Sequence, residues 1–312
     1  MKVTVVGAGQ MGSIYAAAAA ENGNEVWLVD ANQAVVDAIS ERGLLIDRRD
    51  GNTDTYRLPA TSDPTSIGQT MDLVLFQTKG WATSAAAESV RPIVDGRSVL
   101  LTLQNGLGNE EAIRIVFPDN ELLIGVSVHT VVTVDVAHYG HTGVRNTVFG
   151  PSRGDDLGPA RRAASAFEAP GFPVEVYPED DIRREQWSKF VLNCGSLPTA
   201  ALTRLRTDVL KDQPVVFEHM DNLTRETCAI AAAAGIALDP EERVGFQHEL
   251  FRTAGGRASM LGDVVARRRT EIDTINGAAV MYAERYGVPA PLNRAMVALV
   301  KGLEKAIELG EA

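Results

Sequence analysis

The stretch MKVTVVGAGQMG, residues 1–12, runs directly into SIYAAAAAENG at 13–23. A short β-branched run, a glycine-rich turn and a helix-forming segment follow one another without a break. Gly7, Gly9 and Gly12 fall in a G-x-G-x-x-G spacing at the strand-to-helix junction, the context that this fingerprint requires. Gly7 permits a tight turn, Gly9 lets the backbone approach a pyrophosphate, and Gly12 lets the helix lie close to the strand. The helix N-terminus then offers unpaired N–H groups and a positive dipole end to phosphates. Gly7, Ala8, Gly9, Gln10, Met11 and Gly12 are therefore the expected dinucleotide cradle.

The second strand signal, EVWLVD, ends at Asp30, about 20 residues past the glycines, where an acidic side chain accepts from ribose hydroxyls. No Arg or Lys lies between Lys2 and Arg42 to neutralise a 2′-phosphate. This favours NAD(H) over NADP(H), with NADP(H) as the alternative. A competing reading makes Asp30 the cap of the following helix, NQAVVDAI.

Outward from this junction, short apolar strands alternate with helical stretches to about residue 150. DLVLFQT precedes TSAAAESVRPIV, SVLLTL precedes GNEEAIRIVF, and ELLIGVSVHT follows. That alternation predicts a mostly parallel sheet covered on both faces. After Pro178, WSKFVLNC, VVFEHMDNLTRETCAIAAAAG, EIDTINGAAVMYAERYG and NRAMVALVKGLEKAIELG all read as helices. The expected architecture is α/β: a Rossmann-type doubly wound sheet over 1–168, a Pro- and Gly-rich joint at about 169–177, and an all-helical domain over 178–312. The alanine runs at 16–20 and 231–234 are expected to be close-packing helix residues.

Composition narrows the function classes. A chain of 312 residues with 45% hydrophobic and 23% charged residues fits two globular domains. A net charge of −11 argues against a nucleic-acid partner. Two cysteines, Cys194 and Cys228, without CxxC spacing suggest a reducing compartment. A strand beginning at residue 2 leaves no room for a signal peptide, and LLIGVSVHTVVTV is too interrupted to span a bilayer. The expectation is a cytoplasmic protein with a small-molecule partner and no membrane or nucleic-acid role. Long apolar helices such as NRAMVALVKGLEKAIEL would serve a homodimer face as well as a core.

Candidate chemistry collects in four places. FQTKGW puts Lys79 after one strand, and TLQNGLGN puts Asn105 after the next; loops at strand ends gather ligand contacts in open α/β sheets. REQWSKFVLNCG places Lys189 and Asn193 four apart, on one helical face among Trp187, Phe190, Val191 and Leu192. A buried lysine is costly unless paired, and a paired one is a candidate acid. ASMLGDVVARRRTEIDTING supplies Ser259, Glu271, Asp273 and Asn276. By contrast, His138 and His141, three apart, do not by themselves make a metal site, so no metal is expected. Cys194 reads as a small core residue, Arg267-Arg268-Arg269 as a solvated helix face, and PEDD at 178–181 as a helix N-terminus.

GAGQMG at 7–12, QTKG at 77–80, QNGLGNEE at 104–111, WSKFVLNC at 187–194 and SML…TEIDTING at 259–277 occur in this order, and together they resemble the ketopantoate reductases (2-dehydropantoate 2-reductases) over essentially the whole chain. The resemblance implies reduction of a 2-oxo acid to a 2-hydroxy acid by hydride from a nicotinamide. It implies Lys189 as the general acid, Glu271 as the carboxylate holding Lys189 or the substrate, Asn105 and Asn193 as substrate-orienting amides, and Ser259 at the substrate carboxylate. Lys79 and Asn105 would lie near both cofactor and substrate. Closure of the two domains over substrate is the layout's expectation.

Two positions depart from the family pattern. Members that use NADP(H) commonly place an arginine just after the second strand, where this chain has Asp30, Ala31 and Asn32. The family's asparagine four positions past Asn193 is Leu197 here. An apolar wall in place of an amide suits a hydrocarbon substituent. The sequence thus points to an NADH-linked enzyme acting on ketopantoate or on a branched or aryl 2-oxo acid. The alternatives are a β-hydroxyacid dehydrogenase-type oxidoreductase and a non-catalytic dinucleotide-sensing protein.

Overall fold

The computed structural model describes residues 1–144, 146–169, 171–253 and 255–311. Pro170, within the expected joint, and Ala312, the end of the expected helical domain, lie outside the described residues. The chain divides into two units: one of residues 1–104 and 109–183, the other of residues 105–108 and 184–312.

The first unit holds two sheets. Strands β1 (Lys2–Val6), β2 (Glu25–Val29), β3 (Leu44–Asp47), β4 (Thr53–Tyr56), β5 (Ala60–Thr61), β6 (Leu73–Phe76), β7 (Val99–Thr102), β8 (Leu122–Ser127), β9 (Thr130–Asp135), β10 (His138–Gly143), β11 (Thr147–Pro151) and β12 (Val174–Val176) follow in chain order. The larger sheet runs β12-β11-β8-β7-β6-β1-β2-β5 and is parallel from β8 to β5; β11 is antiparallel to β8. Both faces are buried, so its central strands show no alternation. Leu73 and Leu75 of β6 join one apolar cluster, while Val74 and Phe76 join another.

Helix α1 (Gln10–Glu21) is buried from Gly12 through Ala19. It shares its core with the larger sheet and with Leu44, Ile46 and Tyr139 of the smaller sheet, β4-β3-β10-β9. A helix packed on two sides needs small residues, which accounts for the first alanine run. The smaller sheet departs from the expected single doubly wound sheet: β4 and β9 are mostly exposed and β10 carries two glycines, so their apolar signal is weak. Among the described residues the further α-helices lying wholly in this unit are α2 (Gln33–Arg42), α3 (Thr83–Ser89), α4 (Asn109–Val116) and α5 (Gly158–Ser165).

The expected joint at 169–177 is corrected. Val174–Val176 forms β12, which pairs with β11 from Thr147↔Val174 to Phe149↔Val176. Three residues suffice for an edge strand, and the flanking prolines mask it in the sequence. The division falls instead inside helix α6 (Glu179–Thr203), between Arg183 and Arg184. Arg183 pairs with Glu179 and Glu110, and Glu179 also accepts from the Gly154 N–H, so the first turn of α6 belongs to the sheet unit. Glu179, Asp180 and Asp181 do begin this helix, as PEDD suggested.

The second unit continues with α7 (Thr207–Leu210), α8 (Pro214–Ala233), α9 (Pro240–Thr253), α10 (Ser259–Val265), α11 (Asn276–Tyr286) and α12 (Pro291–Leu309). Its main core gathers Trp187, Phe190, Cys194, Leu197, Ile272 and Val300. Among the described residues no helix is long and apolar enough to cross a membrane.

Candidate active site

In the sheet unit two of the three glycines are demanded by the turn itself. Gly7 has φ +100°, and a Cβ there would sit 2.8 Å from the Gln77 carbonyl. A Cβ on Gly12 would lie 1.8 Å from the Gly7 oxygen. Gly9 is different: a Cβ would meet nothing within 4 Å. The fold does not need glycine at position 9, whereas a ligand lying against that backbone would. Gly9 caps α1 without any side-chain hydrogen bond, and the first turn holds no acidic residue, so the helix dipole is left for an anion.

Asp30 faces this turn. Its Oδ2 accepts the Ala8 N–H at 2.7 Å and its Oδ1 accepts the Asn32 N–H at 2.8 Å. The competing reading of Asp30 as helix cap is set aside, because Asn32 caps α2 through the Ala34 N–H at 3.1 Å. The Ala8 carbonyl is held from the other side by the Tyr139 and Ser13 hydroxyls, each donating at 3.0 Å. Burial pushes the Tyr139 phenol up, and the Asp30 charge adds to that. Gln10 donates to the Val131 carbonyl at 3.0 Å. The smaller sheet thus braces the turn through β9 and β10.

The ends of β6 and β7 are neighbours, since the two strands pair in parallel from Leu73↔Val99 to Phe76↔Thr102. Lys79, half-buried, follows β6. Gln104 ties the two ends together: its Nε2 donates to the Thr78 carbonyl at 2.8 Å and to the Thr83 hydroxyl at 2.8 Å. The next four residues, 105–108, group with the helical unit. The Leu107 N–H donates to the Thr274 carbonyl at 2.9 Å, and a Cβ on Gly106 (φ +82°) would come within 2.1 Å of the same oxygen. Asn105 therefore shares a unit with Lys189, Asn193, Ser259 and Glu271.

In that helical unit Lys189 and Asn193 lie one turn apart on α6, with Trp187, Phe190 and Val191 buried beside them. Asn193 is 8% exposed and Glu271 7%. Lys189 keeps partial access to solvent, but its surroundings strip most of its hydration. Burial pulls its ammonium down to about 8, while the negative charge of Glu271 pulls it back up. At pH 7 the group is mainly protonated, yet close to releasing its proton.

The segment around Glu271 is corrected: it is a turn, not the start of a helix. The Thr274 and Ile275 N–H groups both reach the Glu271 carbonyl at 3.1 Å, and α11 begins only at Asn276. Threonine and β-branched residues weaken helix here, and the Thr270 hydroxyl accepts the Ile272 N–H at 3.2 Å. Glu304 of α12 holds this turn by accepting both the Thr270 N–H, at 2.8 Å, and the Thr270 hydroxyl, at 2.7 Å. Lys301 and Arg269 pair with Asp273.

The arginine run is also corrected. It lies beyond the end of α10, with Arg267 at φ +54°. All three arginines are exposed, as a solvated run would be; Arg267 donates to the Ile307 carbonyl, Arg268 pairs with the buried Asp263 of α10, and Arg269 pairs with Asp273 of the Glu271 turn. Ser259 is the exposed first residue of α10. His138 hydrogen-bonds Asp47 at 2.8 Å, because β3 pairs with β10, whereas His141 hydrogen-bonds His129 at 3.1 Å. Among the described residues no cluster of three metal-ligating side chains forms. Burial pushes the Cys194 thiol up, which makes it a poor nucleophile.

Tyr139, Gln104 and Glu304 were not singled out from the sequence. Gln104 lies in QNGLGNEE, next to Asn105. Tyr139 and Glu304 act over separations of 131 and 34 residues and leave no local pattern.

A family model described as ketopantoate reductase PanE/ApbA matches residues 3–154, and its C-terminal counterpart matches residues 181–304. A 2-dehydropantoate 2-reductase of Pyrococcus horikoshii is 30% identical, the match covering 97% of this chain and 98% of that protein. One from Halobacterium salinarum is 27% identical, with 96% and 98% covered. The crystal structure of a PanE/ApbA family ketopantoate reductase from Ralstonia eutropha superposes with a TM-score of 0.89 at 30% identity, over 99% of this chain and 100% of the other. D-mandelate dehydrogenase, solved with NADH and anilino(oxo)acetate, shares the fold at a TM-score of 0.92 and 24% identity, over 99% and 100% of the two chains.

Proposed function

The chain belongs to the ketopantoate reductase family, and from that premise we propose that it is an NADH-linked reductase of 2-oxo acids in which Lys189 is the general acid. The observation that carries the reading is Lys189 itself, an ammonium on a buried helix face, lowered to about 8 and countered by Glu271. A proton donor works best when its pKa lies near the operating pH.

The cradle fits a dinucleotide: Gly9 leaves room against the backbone, α1 presents uncompensated N–H groups, and the Asp30 carboxylate is fixed beside Ala8. A bound nicotinamide supplies the hydride. Lys189 stabilises the negative charge developing on the substrate oxygen and transfers its proton there, leaving a hydroxy acid and a neutral amine that solvent reprotonates. Glu271 keeps Lys189 charged before that transfer. Asn105 and Asn193 orient the oxo acid without adding net charge, Ser259 receives its carboxylate end, and Lys79 serves the cofactor side. Asp30 favours ribose hydroxyls over a 2′-phosphate.

Leu197 is in the same apolar core cluster as Trp187 and Phe190. The reading of a branched or aryl 2-oxo acid rests on the position of Leu197, one helical turn past Asn193 where the family pattern has an asparagine, because a hydrocarbon there gives a hydroxyl-bearing substrate nothing to bond. A steady-state matrix of ketopantoate and branched and aryl 2-oxo acids, each with NADH and NADPH, tests the proposal. Faster turnover of apolar oxo acids with NADH is the expected result. Efficient turnover of ketopantoate with NADPH, and hardly any with NADH, would overturn both specificity assignments.

A further inference from the structure

Helix α6 contains Pro198, which has no N–H to donate one turn back. The carbonyl it leaves without that intrahelical donor belongs to Cys194, the residue after Asn193 and five beyond Lys189. Asn276 fills the gap: its Nδ2 donates to the Cys194 oxygen at 3.0 Å. The same Nδ2 donates to Asn293 Oδ1 at 2.9 Å, and Asn293 Nδ2 donates to Glu226 at 2.9 Å. Glu226 also accepts the Leu292 and Asn293 N–H groups at 3.0 and 2.8 Å and so caps α12. Asn276 and Asn293 are both fully buried. The result is a line of polar links from α8 through α12 and α11 to the one turn of α6 that cannot close by itself.

Asn276 spends both amide hydrogens on this line, yet its own Oδ1 is buried without a hydrogen-bond partner. Two donors at one point, one of them aimed at the carbonyl released by Pro198, are what this side chain contributes. It stands five residues past Glu271, at the end of the turn that presents that carboxylate. One hydrogen bond therefore joins the helix of Lys189 and Asn193 to the turn of Glu271. We propose that Asn276 is a positioning residue for the reaction, setting the register of α6 against the Glu271 turn by replacing the donor that Pro198 removes. This rests on the reading of Lys189 as the acid.

The test is a cycle of Asn276→Ala, Pro198→Ala and the double variant, with Lys189→Ala measured alongside on the best oxo acid. Asn276→Ala is expected to lower kcat roughly 10- to 100-fold, the scale of a small misplacement of reacting groups. The dissociation constant for NADH should stay within about twofold, since the cradle is not touched. Separating Lys189 from Glu271 removes charge compensation, so the alkaline fall of the pH-rate profile should move to lower pH. Pro198→Ala restores an N–H to the Cys194 carbonyl, so in that background the further loss from Asn276→Ala should shrink to about threefold or less. An equal loss in both backgrounds, or a lower melting temperature with an unmoved pH profile, would overturn the proposal. If Lys189→Ala retains turnover, the acid assignment itself has failed; if Lys189→Ala is inactive and the cycle is additive, only this inference has.

Discussion

At Lys189 two opposing effects act on one ammonium: burial removes hydration, and Glu271 supplies a negative charge. Burial prevails, which brings the group to about 8. In the reductive direction the acid must be protonated, so kcat should fall as pH rises through about 8; in the oxidative direction the neutral amine is needed, and kcat should rise through the same range. Glu271→Gln removes the effect that raises the value, so the inflection should shift to lower pH in a stopped-flow or steady-state profile. Lys189→Ala should cost roughly 10²- to 10⁴-fold in turnover while NADH still binds in a fluorescence titration. The glycines offer a second contrast. Gly9→Ala meets no atom within 4 Å, so the melting temperature should hold while NADH affinity falls. Gly12→Ala would press a methyl to 1.8 Å from the Gly7 oxygen, so it should lose both stability and binding.

Among the elements, the Glu271 turn shows how a site segment is held by parts remote in sequence. Glu304 accepts two hydrogen bonds from Thr270 and is itself largely buried. Glu304→Ala should cost about 1.5–3 kcal/mol in a denaturant melt, the range for hydrogen bonds to a charged group, and should lower kcat by loosening Glu271. The loop at 105–108 behaves similarly. Gly106→Ala should displace Asn105, because its Cβ would collide with the Thr274 carbonyl; a rise in KM for the oxo acid with unchanged NADH affinity is the expected signature. Helix α6 carries Lys189 and Asn193 on a periodicity legible in WSKFVLN. The partner of its Cys194 carbonyl is 82 residues away and is not legible there.

For the molecule as a whole, a ligand that binds only the folded cradle must raise stability by mass action. NADH at about 100 times its dissociation constant should add about 2.7 kcal/mol to the unfolding free energy of the wild type. The gain should vanish in Gly9→Ala, and hydrogen exchange should slow at residues 7–12. Absence of any NADH-dependent gain in the wild type would contradict the cradle.

By itself the sequence determined the features written in local periodicity and spacing: the strand–glycine–helix opening, the doubly buried parallel strands, the helical second half, and Lys189 with Asn193 on one helix face. Each is encoded within a few turns or strands, where propensity, glycine sterics and burial act on neighbouring residues. Tertiary structure alone decided the rest. The smaller sheet is not legible in the sequence because β4 and β9 are exposed, β10 bears glycines, and the pairing of β3 with β10 that joins its two halves spans some 90 residues. The joint moved from 169–177 to Arg183/Arg184 because a three-residue strand and an Arg–Glu network extend the sheet unit. The turn at Glu271 and the grouping of 105–108 with the helical unit depend on Glu304 and Thr274, acceptors brought near only by folding. Local sequence dictates which backbone states are cheap. Which buried donor meets which acceptor is fixed only when distant segments pack, because leaving a buried polar group unmatched is costly at that stage.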